Sequence, residues 1–162
     1  MIILDLTGKG DVMGLDIGIY GNLELHSQYY GPNSYRPDDV ILLSNHDSFS
    51  HMNQDYKNNH FYKAEYIDGF GAGSYSSYNM WRKSLCINIS GYEIKDVWDN
   101  KRSSIPCYEL INFSDCEGWI PPTICEKLYD DISKLSYSDD LLEKFKRAFE
   151  LAMLNNGVVI FH

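Results

Sequence analysis

No apolar run in this sequence approaches the ~20 residues that a helix needs to cross a bilayer, which excludes a helical membrane span. The opening MIILDLTGKGD has four apolar residues before Asp5, no basic region and no small-residue cleavage site, so it does not read as a secretory signal. Cysteine is sparse: Cys86, Cys107, Cys116 and Cys125 form no CxxC spacing. Without a secretory signal such cysteines are expected as thiols, and the expected compartment is the cytoplasm. Positive charge is scarce too. Fourteen basic residues face 23 acidic ones, for a net charge of −9, and the basic residues adjoin only in short pairs such as Arg82-Lys83, Lys101-Arg102 and Lys146-Arg147. Such a surface is repelled by phosphate backbones and anionic lipid, so nucleic acid and membrane are not expected partners. Repeats, low-complexity tracts and linkers are absent, and the 162 residues are expected to form one domain.

What is present is a globular composition, 44% hydrophobic, with 13 tyrosines. Tyrosine joins apolar area to a hydroxyl and suits the walls of polar pockets and interfaces as well as plain cores. Met1–Leu6 reads as a short strand and Gly8–Asp11 as a turn, and residues 1–12 are expected to be an extension of a domain spanning 13–162. Leu15, Ile17 and Ile19 alternate with Asp16, Gly18 and Tyr20, the period of a strand with one buried face. Residues 26–39 read as a loop, Val40–Leu43 as a buried strand, 44–60 as a polar loop and Phe61–Ile67 as a strand. Ser76–Cys86 is predicted helical, Ser90–Pro106 irregular and Cys107–Phe113 a strand. Further helices are expected from Thr123, with Glu126 completing a capping box, and over Asp139–Asn155, closed by Asn156-Gly157. VVIF (158–161) is a last strand. Helices and strands do not alternate regularly, so the class is α+β, one mixed sheet with about three helices on it.

Four stretches carry candidate chemistry. DGFGAGSYSSYNMWRKSL (68–85) places Gly69, Gly71 and Gly73 before a serine-rich helix start, where backbone N–H groups and the helix dipole favour an anion. In that reading the ligand is held by Gly71, Gly73, Ser74, Tyr75, Ser76 and Ser77, with Arg82 as a bidentate cation and Tyr78 and Trp119 as stacking rings. The spacing is neither GxGxxG nor GxxxxGK[ST], so no cofactor fingerprint supports it, and a tight strand-to-helix connection explains it equally. Ser114–Gly118 sets Asp115, Cys116 and Glu117 in a turn, as acid, base or nucleophile, or simply as an Asx-type turn. His162 follows the last strand and pairs with Cys116 if the two ends meet, with Asp115 or Glu117 orienting the ring. His46, Asp47, His51, Asp55 and His60 have the spacing of no standard metal site, and no metal is expected there.

MGLDIGIY, GSYSSYNMWR (73–82), INFSDCEG (111–118) and the closing FH resemble a family of small bacterial and phage proteins that carries no assigned activity. The resemblance covers residues 13–162. It implies that the glycine stretch, the SDCEG turn and His162 belong to one constellation, and it implies a phage or mobile-element origin without transferring a catalytic role. The leading expectation is a non-enzymatic module for a small anionic or nucleotide-like ligand, such as a host signal sequestered by a phage. The rival is a hydrolase using Cys116, or Asp115 and Glu117, with His162. A third reading is a protein-interaction or inhibitor domain whose tyrosines form the interface, and a homo-oligomer is compatible with any of the three.

Overall fold

Leu15, Ile17 and Ile19 produce the first strand, β1 (Asp16–Leu25), and bury one row against helices while Asp16, Gly18 and Tyr20 turn to the opposite face. The computed structural model describes residues 14–113 and 116–162. The expected strand at 1–6, the turn after it, the twelve-residue extension, Ser114 and the candidate Asp115 lie outside the described residues. β2 (Val40–Leu43), β3 (His60–Gly71), β4 (Gly118–Ile120) and β5 (Val158–Phe161) complete one sheet in the order β2-β3-β1-β5-β4. The fold is α+β, as expected. Every pairing is antiparallel, so the sheet is not the mixed one anticipated.

Three long helices, α1 (Tyr75–Ser90), α4 (Pro122–Lys134) and α5 (Asp140–Leu154), and two short ones, α2 (Ile94–Asp99) and α3 (Tyr108–Asn112), supply most of one core. The sequence reasons are local. Ser74 accepts the Ser77 N–H at 3.1 Å to cap α1, Gly91 closes it at φ 75°, and Asp139 accepts the Leu142 N–H at 2.8 Å to cap α5. Among the described residues no helix is long and apolar enough to cross a membrane. β5 is apolar at every position because both its faces are covered: Val159 and Phe161 meet the helix-side core, while Val158 and Ile160 face the other way.

That other face is a second core, and it shows that the sheet curls. Ile41 and Leu43 from β2 share one cluster with Trp119 from β4, although these strands are the two ends of the sheet. The ends are tied by Asn45, just past β2. It accepts the Trp119 N–H at 2.8 Å and donates to the Trp119 carbonyl at 3.0 Å.

Several expectations are corrected. The glycines at 69 and 71 lie inside β3, paired with Gly18 and Asp16, so the supposed loop shrinks to Ala72–Ser74. Cys107–Phe113 is not a strand: Tyr108–Asn112 is a helical turn that buries Leu110 and Ile111, with Cys107 at φ 57° before it. The polar stretch 44–60 contains a 3-10 helix over Asp47–Met52, which buries Met52. The irregular stretch after Ser90 contains α2. α4 starts on Pro122 and has no side-chain cap, so the Thr123–Glu126 box is not formed; Thr123 bonds Asp55 instead.

Candidate functional site

The curl leaves a cavity of about 850 Å³ on the concave face of the sheet. Tyr20, Ile41, Trp119 and Ile160 form its lining on four different strands. Its rim comes from segments far apart in sequence: Arg36 before β2, Tyr75 at the head of α1, Cys116 and Glu117 before β4, and His162 after β5.

Strand register explains the meeting of the last two. Pairing of β4 with β5 ends at Gly118 opposite Phe161, so Glu117 and His162 each stand one residue beyond that pair. The His162 backbone is fixed from the other side, donating to the Asp16 carbonyl at 2.9 Å and accepting the Asp16 N–H at 3.2 Å. Its ring leans over Gly18, where a Cβ would stand 3.1 Å from Nε2, and its centroid is 6.3 Å from that of Tyr20. This partial burial lowers the imidazole pKa from 6.5, opposed by the Asp16 carboxylate. That direction favours the neutral imidazole at pH 7, which can accept a proton or a hydrogen bond. Burial raises the pKa of the Tyr20 phenol, Tyr66 adds to that, and Arg36 pulls the other way, which puts the guanidinium within electrostatic reach of the Tyr20 hydroxyl.

The structure brings Tyr75, Cys116, Glu117, Trp119 and His162 to one cavity, and Gly71, Gly73, Ser74, Ser76, Ser77, Tyr78 and Arg82 are not among its lining residues. Gly73 is the connection's left-handed residue at φ 90°, and a Cβ there would meet Ser77 Oγ at 2.7 Å. The serines satisfy one another: Ser77 Oγ donates to the Ser74 carbonyl at 2.9 Å, and Ser76 Oγ lies 3.3 Å from Ser74 Oγ. Tyr78 is fully buried. Arg82 is 6% exposed, donating to the Phe113 carbonyl and, at 2.5 Å, to Asn79, with its guanidinium 5.6–5.7 Å from the Trp98 and Tyr78 rings. It is a core clamp on the segment that leads to Cys116, and it is not among the cavity's lining residues. Trp119 is wholly buried with Nε1 bonded to Asn58 at 3.1 Å, so its indole supports the floor and offers no exposed stacking face.

No family model, curated protein or solved structure matches the chain. Among the described residues no group of three or more His, Cys, Asp or Glu side chains is placed to hold a metal; His46 caps the 3-10 helix through Ser48, and His60 Nδ1 lies 2.8 Å from the Asn58 carbonyl. None of the four cysteines forms a disulfide; Cys116 is exposed, whereas burial pushes the Cys107 thiol up to about 12. Sequence reasoning missed Arg36, Tyr20 and Asn45. Arg36 sits between Tyr35 and Pro37 in a loop with no pattern, and only its position over the Phe61 ring, 5.9 Å away, and beside the cavity reveals it.

Proposed function

We propose that the protein is a non-enzymatic binding module for a small anionic, nucleotide-like ligand seated in the concave cavity, with Arg36 as its cation. The cavity itself carries the reading. Its 850 Å³ lies within the roughly 300–1,000 Å³ of small-molecule sites. Arg36 is the one arginine or lysine among its described lining residues, beside Asp38 and Glu117, and the hydroxyl-bearing Tyr20 and Tyr75 line the same cavity, as does Ser44, whose hydroxyl donates to Asn59 at 2.9 Å. A guanidinium in company with hydroxyls suits a phosphate or carboxylate. In a phage setting, sequestration of a host nucleotide signal is the matching role. Isothermal titration with mononucleotides, cyclic nucleotides and ADP-ribose derivatives tests the reading. Binding is expected, and Arg36→Ala weakens it at least tenfold, about 1.4 kcal/mol. Folded protein that gives no heat with any of them overturns the proposal.

One observation favours a second reading, a hydrolase. Cys116, Glu117 and a neutral His162 line the same cavity, the groups that a thiol nucleophile and its base require. Turnover of an activated ester that survives both Cys116→Ser and His162→Gln removes it.

A further inference from the structure

We propose that the outer half of β3 is the interface of a homodimer, in which a second copy of this chain adds its own β3 antiparallel to the first and joins the two sheets. The starting observation is an edge left open part-way along a strand. β3 runs on to Gly71, but β2 pairs with it only over residues 60–63, and the Asp39 carbonyl then accepts the Ala64 N–H at 2.8 Å. Past that bond Glu65, Tyr66, Asp68 and Gly71 are exposed. Register shows which backbone groups this edge presents. Asp16 exchanges both of its backbone bonds with His162, so Gly71, opposite Asp16 on the other side, receives neither. Gly69 stands opposite Gly18, two residues along, and shares that parity. The N–H and C=O groups of Gly69 and Gly71 therefore point away from β1, where no strand among the described residues meets them. The Gly69 N–H bears this out: it donates to the Asp68 carboxylate at 2.8 Å, a local partner that the carbonyl of an added strand replaces. Neither proline nor lysine, the usual blocks on an open edge, stands between Glu65 and Gly71.

Charge points to a second copy as the occupant. Beside the edge, β3 and α5 border a groove of about 310 Å³ that reaches down to Ile19 and Ala148. Its four charged residues balance, Asp68 and Glu143 against Lys144 and Arg147, on a chain whose net charge is −9. An equally acidic copy thus meets no net repulsion at this face. Two of the four are already engaged within the chain: Arg147 pairs with Glu150 at 2.5 Å, and Glu143 accepts the Ser138 hydroxyl at 2.6 Å. Asp68 and Lys144 are in no ion pair among the described residues. Antiparallel pairing about a two-fold axis is reciprocal, so each copy's Asp68 is offered to the other's Lys144. Gly69 and Gly71 supply the backbone bonds, and these two charges set the register.

The experiment is sedimentation equilibrium of the full chain from micromolar to millimolar concentration, where a dimer is expected. Gly71→Pro removes an edge N–H that the single chain does not use. The site has no positive φ, and a Cβ there would meet nothing closer than Asp16 Oδ1 at 3.7 Å, so the fold tolerates it. The variant should keep the wild-type circular dichroism and dimerise at least tenfold more weakly. Asp68→Lys and Lys144→Asp should each weaken the dimer as well, and the two together should restore it, which a loss of folding would not do. A wild-type chain that stays monomeric throughout overturns the proposal. So does a dimer that Gly71→Pro and both single charge reversals leave intact. A monomer whose Gly71 amide is nonetheless slow to exchange with deuterium gives the edge to another occupant and equally overturns the second copy.

Discussion

The Asn45 side chain gives Trp119 the two hydrogen bonds, at 2.8 and 3.0 Å, that a neighbouring strand would give the outer edge of β4. It is 5% exposed and held by further amides: Asn53 accepts its second N–H at 2.9 Å, and Asn58 accepts its backbone N–H at 2.7 Å. Gly118 leaves the room, since a Cβ there would stand 2.7 Å from Asn45 Oδ1 at a φ of 137°. Asn45→Ala strands the Trp119 N–H and carbonyl in a buried setting, at roughly 1–3 kcal/mol for each unsatisfied group. Urea denaturation should show a loss of about 3 kcal/mol, and ligand affinity should fall with it because the cavity wall is no longer tied. A loss under about 0.5 kcal/mol, the range of surface substitutions, would mean that the amide bridge does not close the sheet. None of this was legible in the sequence. An asparagine in NHDSFSHMNQ reads as one more loop residue, and its partner is 74 positions away.

At the level of elements, legibility followed the reach of the forces that make each one. VVIF is β5 and Val40–Leu43 is β2, because a short apolar run between turns has few other uses. α5 was readable from its stripe of Leu142, Phe145, Phe149 and Ala152 and from Asp139 before it. α3 was not: five residues hold little more than one period of 3.6, and the group that holds the residue before it is remote, Asp131 of α4 accepting the Cys107 N–H at 2.9 Å. The glycine stretch misled for another reason. Alternate glycines match a phosphate loop and a strand whose bare face lies under aromatic rings equally well, and only the register with β1 decides. Asp139 supports a prediction at this scale. It caps α5 and also accepts from the Trp81 indole at 2.9 Å and the Tyr137 hydroxyl at 2.7 Å, joining α1 to α5. A lost cap costs about 1 kcal/mol, and each of the two further hydrogen bonds, to a carboxylate that stays largely solvated, is worth a net ~0.5–1.5 kcal/mol. Asp139→Ala should therefore destabilise by roughly 2–4 kcal/mol, and Asp139→Asn by less, as read from thermal and urea unfolding.

For the molecule as a whole, the α+β class was legible because the strand and helix periods are local. The candidate site was half legible: Cys116, Glu117, Trp119 and His162 line one cavity with Tyr75, while Arg82 and Tyr78 went to the core. What decided their fates was the curl of the sheet, a property of five strands together and of no segment alone. The same closure makes stability depend on pH through His162, whose ring the folded chain partly buries against Tyr20 and Gly18. Burial lowers its folded-state pKa below 6.5, with Asp16 opposing. Between the lowered value and 6.5 the unfolded chain binds more protons than the folded one, so stability rises with pH across that window. The contribution is complete above 6.5, falls as the pH drops below it, and levels off once the folded-state pKa is passed. Asp139 is shifted down as well: burial works against its ionisation, but the Leu142 amide, the Tyr137 hydroxyl and the Trp81 indole prevail, so its contribution is present above 3.8 and lost in stronger acid. Two separate losses are thus expected in urea midpoints measured from pH 8 to pH 3. His162→Gln should flatten the first and leave the second, and Asp139→Asn should do the reverse. A midpoint that holds level from pH 7 to pH 5 in the wild-type chain would show that the His162 ring is solvated and stands outside the cavity wall.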